Sequence, residues 1–288
     1  MRLSNLPLSP IREEGDRTIF FGDEESSSSW FFRNRQAIAQ LPTEQQMEGW
    51  RKIFRNIQVH RKVPIDPELE GVLVAMNILG FTTSYSCFGH KEQLFSYPHI
   101  SFGVLIHDAI EATGVSLPAD EVPWIHHQYI NYRAGNARMV TGKERTSTHD
   151  YKEREKPFFE RWEEMERQQK AALADLLAEF YNHRKLPAPK EAILILTGQT
   201  IRPAVRPWEH GPAIELLRQF GSAFYDAFLD YRRGWTPWKD LPRLEKLLQV
   251  RRRKHLDEVL LPFLEASQGE VVAFGDFLIQ RHYDKSSG

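Results

Sequence analysis

At Gly80 the apolar residues of this chain change their repeat, and that change requires a helix to run directly into a strand. Upstream, Leu69, Val72, Leu73, Met76 and Leu79 recur at helical spacing and form one apolar stripe. Asp66 stands where an N-cap is needed, and Pro67 follows at the first helical position, which tolerates a missing N–H. Gly80 supplies a left-handed C-terminal cap, so the helix is predicted to end at Leu79. Downstream, Phe81, Thr83, Tyr85 and Cys87 alternate with Thr82, Ser84 and Ser86. β-Branched and aromatic residues suit a pleated surface, so a strand is predicted over 81–87 with Cys87 on the Phe/Tyr face. Gly89 allows a tight turn, and 97–106 reads as a second strand with Pro98 near its start.

Cys87 is the only cysteine, and it stands three residues before His90 where the first strand ends. Three chemistries suit that pair. As ligands, a thiolate and an imidazole separated by a two-residue loop can face one zinc or iron ion. The second half of such a site would come from His99, His107, His126 or His127, and the metal set expected is Cys87, His90 and His99. As a nucleophile, Cys87 needs a cation to lower its pKa and a base within reach, and His90 or His99 can supply both. In the third alternative Cys87 packs as a small hydrophobe and His90 satisfies a turn. The candidate catalytic residues are therefore Cys87, His90 and His99.

Residues Asp66 to His90, with Tyr97-Pro-His-Ile-Ser-Phe102 after them, resemble uncharacterised bacterial and phage-borne proteins. In those proteins a Leu/Asn-rich helix and a glycine lead into a strand ending Ser-Cys-x-Gly-His. The stretch Phe81-x-Thr-Ser-x-Ser-Cys87-x-Gly89 is also similar to the Ser-Ser-Cys-x-Gly-Arg segment of the wybutosine-type tRNA methyltransferases. That second resemblance implies S-adenosylmethionine as cofactor and RNA as substrate. His90 stands where that family has arginine. The similarity covers about forty residues, well under the length of a domain, and so speaks to local architecture.

The remaining chain divides into three parts: a poorly ordered arm over 1–29 with a strand candidate at Thr18 to Phe21, an α/β core over 30–207, and a helical subdomain over 208–288. Ser29 is placed to cap a first helix, and Thr43 with Gln46 forms a capping-box pattern ahead of Met47, Trp50, Phe54 and Ile57. The connection 113–150 carries His126, His127 and the basic stretch Arg133 to Arg145. A long insertion helix is predicted from Tyr151 to His183, with Glu163, Glu164 and Glu166 on its solvated side. Residues 192–197 read as a buried strand beside the two motif strands. Arg202 and Arg206 are four apart; in an extended piece they face one way and can converge on a phosphate or carboxylate, although the two prolines make that piece an edge at best. Helices are expected over 212–231 and beyond Asp240, the latter carrying the basic cluster Arg251 to Lys254. A solvated face is the simpler account of that cluster, as helix-junction packing is of Trp235 and Trp238, although both can contact nucleic acid.

The 288 residues, 41% of them hydrophobic, can bury a substantial core. A lone cysteine forms no internal disulfide, no leader-like N-terminal run is present, and a cytoplasmic setting is expected. No stretch approaches the roughly 20 apolar residues that span a bilayer, so no membrane partner is expected. The net charge of -1 gives no global pull on nucleic acid. The chain lacks a Walker loop, a Gly-x-Gly-x-x-Gly turn, a His-Glu-x-x-His and a nucleophile elbow, which removes the common nucleotide and protease classes. The expected fold is α+β and helix-rich, with a small mixed sheet covered by helices and a helical C-terminal layer. The expected function is an enzyme or binder of RNA or a nucleotide-like anion, with its site at the end of the first motif strand and Arg202 and Arg206 as anion binders. The alternative is a non-catalytic, phage-related protein whose helical surfaces bind a protein partner.

Overall fold

The computed structural model describes residues 12–14, 17–19, 34–61, 65–90, 97–114, 156–182, 184–206 and 241–286. In chain order, strands β1 (Arg12–Glu14) and β2 (Arg17–Ile19) form a hairpin, and helix α1 (Thr43–Arg61) follows a short helical turn at 34–39. Next come helix α2 (Glu70–Ile78), strands β3 (Thr82–Cys87) and β4 (His99–Gly103), and helices α3 (Ile106–Thr113) and α4 (Lys156–Asn182). Strands β5 (Leu194–Thr197) and β6 (Thr200–Pro203) and helix α5 (Leu241–Ser286) complete the described residues. The expectations placed on 212–231, on Trp235 and Trp238, and on the connection with His126, His127 and Arg133 to Arg145 fall outside them. The side chains of His107 and of Arg251 to Lys254 do so too.

The junction at Gly80 forms as its residues require. Gly80 adopts φ 88°, and the Phe81 N–H returns to the Met76 carbonyl at 2.8 Å while the Gly80 N–H reaches the Asn77 carbonyl at 3.1 Å. These two bonds satisfy carbonyls that the end of a helix leaves unpaired. The start of α1 differs from the expected capping box. Thr43 is already helical, and the Gln46 side chain donates to the Leu41 carbonyl at 2.9 Å instead of reaching a backbone N–H.

The fold is α+β: a helix-rich chain around a four-stranded sheet of order β3-β4-β6-β5. Every pairing in that sheet is antiparallel, which corrects the expectation of a mixed sheet. The two-residue turn at Gly198 and Gln199 sends β6 straight back along β5, and β6 then enters between β5 and β4. So β5 is the edge and β6 lies inside, the reverse of what two prolines suggested. Pro203 is tolerated because β4 meets β6 only at Thr200 and Ile201, leaving no partner at Pro203 that needs its missing N–H.

One face of the sheet carries Ile100, Phe102, Leu194 and Ile201, all nearly fully buried. They pack with Val72, Leu73 and Met76 of α2, with Trp50, Ile53 and Phe54 of α1, and with Leu173, Leu177 and Phe180 of α4. Val271, Phe274 and Leu278 of α5 belong to the same cluster, so the C-terminal helix shares this core. It crosses α2 closely: a Cβ at Gly275 would come within 2.8 Å of the Val72 Cβ and 3.0 Å of its Cα. No described helix is long and apolar enough to cross a membrane.

Two charged groups in the interior carry partners. Glu166, expected on the solvated side of α4, is buried beside the stripe to which Trp162 belongs. Glu270 of α5 accepts from Tyr181 Oη and from Arg184, each at 2.8 Å, and Tyr181 Oη in turn accepts the Leu194 N–H at 2.8 Å. Burial, with the neighbouring Glu270 charge adding to it, pushes the Tyr181 phenol well above its usual value. The folded-state pKa is raised, so this group's contribution to stability is complete below about pH 10 and declines as the pH rises past the unfolded-state value. Replacing Tyr181 with Phe should cost about 1–2 kcal/mol at neutral pH, because the Leu194 N–H and Glu270 each lose a partner. Denaturant titrations from pH 8 to 11.5 should show that variant losing less stability than the parent above pH 10; parallel losses would show that the phenol does not titrate as described.

Candidate metal centre

The pairing of β3 with β4 determines which way Cys87 faces. Thr83 lies opposite Phe102, but Tyr85 lies opposite Ser101, so Ser84 is an extra residue in β3. Residues directly opposite in an antiparallel pair share a face. Thr83 and Ser86 therefore join Phe102 and Ile100 on the core face, whereas Cys87 joins His99 on the other. A bulge changes the parity of every residue after it. The expectation that Cys87 shares a face with Phe81 is corrected on this ground.

Beyond Cys87 the chain turns through Phe88, Gly89 and His90, and Asp66 meets that turn from the start of α2. Asp66 precedes the helical turn Pro67–Leu69, as Pro67 at the first position predicted, yet its carboxylate makes no capping bond. Instead Oδ2 accepts the Phe88 N–H at 2.7 Å, and Oδ1 lies 3.8 Å from His90 Nε2. The Gly89 N–H points at Cys87 Sγ at 3.3 Å. From the opposite side, the Gln268 side-chain amide of α5 donates to the Phe88 and Gly89 carbonyls at 3.1 and 2.8 Å. Gly89 itself sits at φ 83°.

Asp66, Cys87 and His90 each bring one ligand atom, and these atoms all lie within 4.8 Å of one another. For metal–ligand bonds of ~2.1 Å, the edge of a tetrahedron is roughly 3.4 Å, so the 3.8 Å between Asp66 Oδ1 and His90 Nε2 needs only a small closure around an ion. A thiolate, an imidazole and a carboxylate form a donor set that suits zinc, and three protein ligands leave one position open. All three residues are partly exposed, so a small ligand can reach them.

His99, expected as a third ligand and as a base, is not in this group. Its backbone is held opposite Cys87, and its Nδ1 lies 3.0 Å from the Tyr97 carbonyl, to which the neutral ring donates. Burial lowers the His99 pKa, with the Tyr97 carbonyl acting the other way, so the ring is neutral at neutral pH. Arg202 directs one guanidinium nitrogen to the Pro203 and Ala204 carbonyls at 2.8 and 3.3 Å. Strand β6 ends at Pro203, and the bend at 204–205 interrupts the extended run that would align Arg206 with Arg202.

Asp66 is the site residue that sequence reading assigned elsewhere, because an Asp before a Pro reads as a cap. Gln268 gave no signal at all; it comes from 179 residues further along the chain than Gly89. No protein-family model, curated protein or solved structure matches this chain.

The turn admits only glycine at position 89. A Cβ there would lie 2.7 Å from Leu264 Cδ1 and 3.1 Å from the Tyr97 Cα and carbonyl carbon, whereas a Cβ at Gly80, with a similar φ of 88°, meets nothing within 4 Å. Gly80→Ala should therefore cost about 1–2 kcal/mol, the left-handed penalty alone. Gly89→Ala should cost about 2–4 kcal/mol, since the Tyr97 backbone must also move. Urea unfolding of the two variants checks this; equal costs would mean that the turn is not packed as described.

Proposed function

We propose that the protein binds one divalent metal ion, zinc by its donor set, between Asp66, Cys87 and His90, and uses the open position to hold an oxygen of an anionic, nucleotide-like ligand or RNA. The convergence of three chemically matched donors from two separate segments carries this reading. A zinc ion in such a setting supplies Lewis acidity and an activated water for hydrolytic chemistry.

The chain's own residues have defined parts in this reading. Asp66 is a one-oxygen ligand, because its Oδ2 is occupied by the Phe88 N–H and only Oδ1 faces His90. Cys87 contributes a sulfur that the Gly89 N–H contacts and helps to orient. His90, more exposed than Asp66, closes the chelate loop that Cys87 opens. Two anionic ligands and one neutral imidazole balance a doubly charged ion, so no unpaired charge is left at the site. A ligand thiol must stay reduced, which suits a cytoplasmic setting.

Protein purified without chelators should carry about one zinc ion per chain by elemental analysis, as a three-ligand site implies. Cys87→Ser, His90→Ala and Asp66→Asn should each lower that content. Zinc supplied at about a hundred times its dissociation constant should add about 2.7 kcal/mol of stability to the parent, and chelator should remove it. Equal, near-zero metal in the parent and in all three variants, with no stabilisation by added zinc, would overturn the proposal.

A further inference from the structure

We infer that Gln268 is a positioning residue for this metal centre, acting from the C-terminal helix on the backbone of the loop that carries two of the ligands; the inference rests on the metal reading above. Gln268 touches neither Cys87 nor His90 through the bonds described. Its carboxamide instead satisfies both carbonyls between them, Phe88 O at 3.1 Å and Gly89 O at 2.8 Å. Only the NH₂ end of a glutamine can donate to two carbonyls, so the orientation of the amide is fixed by chemistry.

The same stretch of helix also shapes the turn sterically. Leu264 lies one helical turn before Gln268, and its Cδ1 fills the space where a side chain at position 89 would go. Gly89 is buried there, and a buried carbonyl without a donor carries a desolvation cost. With the Phe88 carbonyl held by Gln268, the Gly89 N–H of the same peptide group faces the other way, toward the Cys87 sulfur, and the Gly89 carbonyl fixes the peptide group that leads into His90. Helix α5 thus holds two of the peptide groups that link the ligands Cys87 and His90, one of which turns its N–H to the Cys87 sulfur. Outer-shell partners of this kind contribute to metal affinity without touching the ion.

Electrostatics and positioning predict opposite outcomes for one substitution. Gln268→Glu keeps the shape of the side chain but removes both donors and adds a negative charge. A simple charge effect would tighten cation binding, whereas loss of the positioning bonds loosens it. Gln268→Met removes the donors without adding charge and keeps the length.

Cobalt(II) chloride titrations of the full chain, followed by the thiolate-to-cobalt absorption band, read the affinity directly, with Cys87→Ser as the control that abolishes the band. Melting of the metal-free proteins separates a loss of folding from a loss of binding. The inference predicts that Gln268→Glu and Gln268→Met each bind cobalt about 10–100-fold more weakly than the parent while metal-free melting changes little. If Gln268→Glu does not fold, Gln268→Met carries the test alone. Parent-like affinity in Gln268→Met, or tighter binding in Gln268→Glu, would overturn the inference and leave the metal centre standing. No thiolate band in the parent protein would remove the metal centre and this inference with it.

Discussion

The backbone of Phe88 and Gly89 is the constraint on which the candidate site depends. Both N–H groups and both carbonyls of this dipeptide are engaged, the former by Asp66 and Cys87 and the latter by Gln268. Peptide groups cannot be left unpaired in a buried turn, so four bonds on two residues fix the turn's orientation. The three elements that supply them are the start of α2, the end of β3 and the middle of α5. Their mutual placement is set by the core, in which α2 and α5 approach closely enough at Gly275 that even a methyl group would strike Val72. Packing far from the ligands therefore determines how the ligands meet.

A mixed donor set has consequences for chemistry. With a divalent ion bound, a thiolate and a carboxylate would neutralise it, and a further ligand would be drawn to the open position and not by net charge. The neutral His99 on the same sheet face adds no competing positive charge, since burial keeps its ring deprotonated. The polar bonds elsewhere in the core, such as the Tyr181–Glu270–Arg184 group, tie α4, β5 and α5 together and do not converge with the motif residues among the described bonds. They hold the frame within which Asp66, Cys87 and His90 converge.

Local signals in the sequence were strong enough to place the frame of the motif. Gly80 bounds α2 within a residue or so, Pro67 opens a short helical turn three residues ahead of it, and the switch of period after Gly80 located β3, because these features are settled by the backbone of the residues themselves. Features that depend on distant partners were not legible. The extra residue at Ser84 turns Cys87 to the other face, and nothing in an alternating run of Thr, Ser and Tyr marks where one residue goes unpaired. The interior place of β6 follows from its hairpin with β5 and from the short reach of β4, which outweighs the expectation drawn from Pro203. Asp66 was read as a cap because capping is the commonest use of Asp before a helix, yet the nearer N–H of Phe88 takes its carboxylate. Gln268 belongs to a helix whose sequence offers no reason to single out one glutamine.

The most direct test of the central claim is the X-ray absorption spectrum of the zinc-loaded protein. Zinc held by Asp66, Cys87 and His90 would give one sulfur neighbour at about 2.3 Å and nitrogen or oxygen neighbours at about 2.0–2.1 Å, with the sulfur contribution lost in Cys87→Ser. A first shell of nitrogen and oxygen alone, unchanged by that substitution, would contradict a metal centre formed by Asp66, Cys87 and His90.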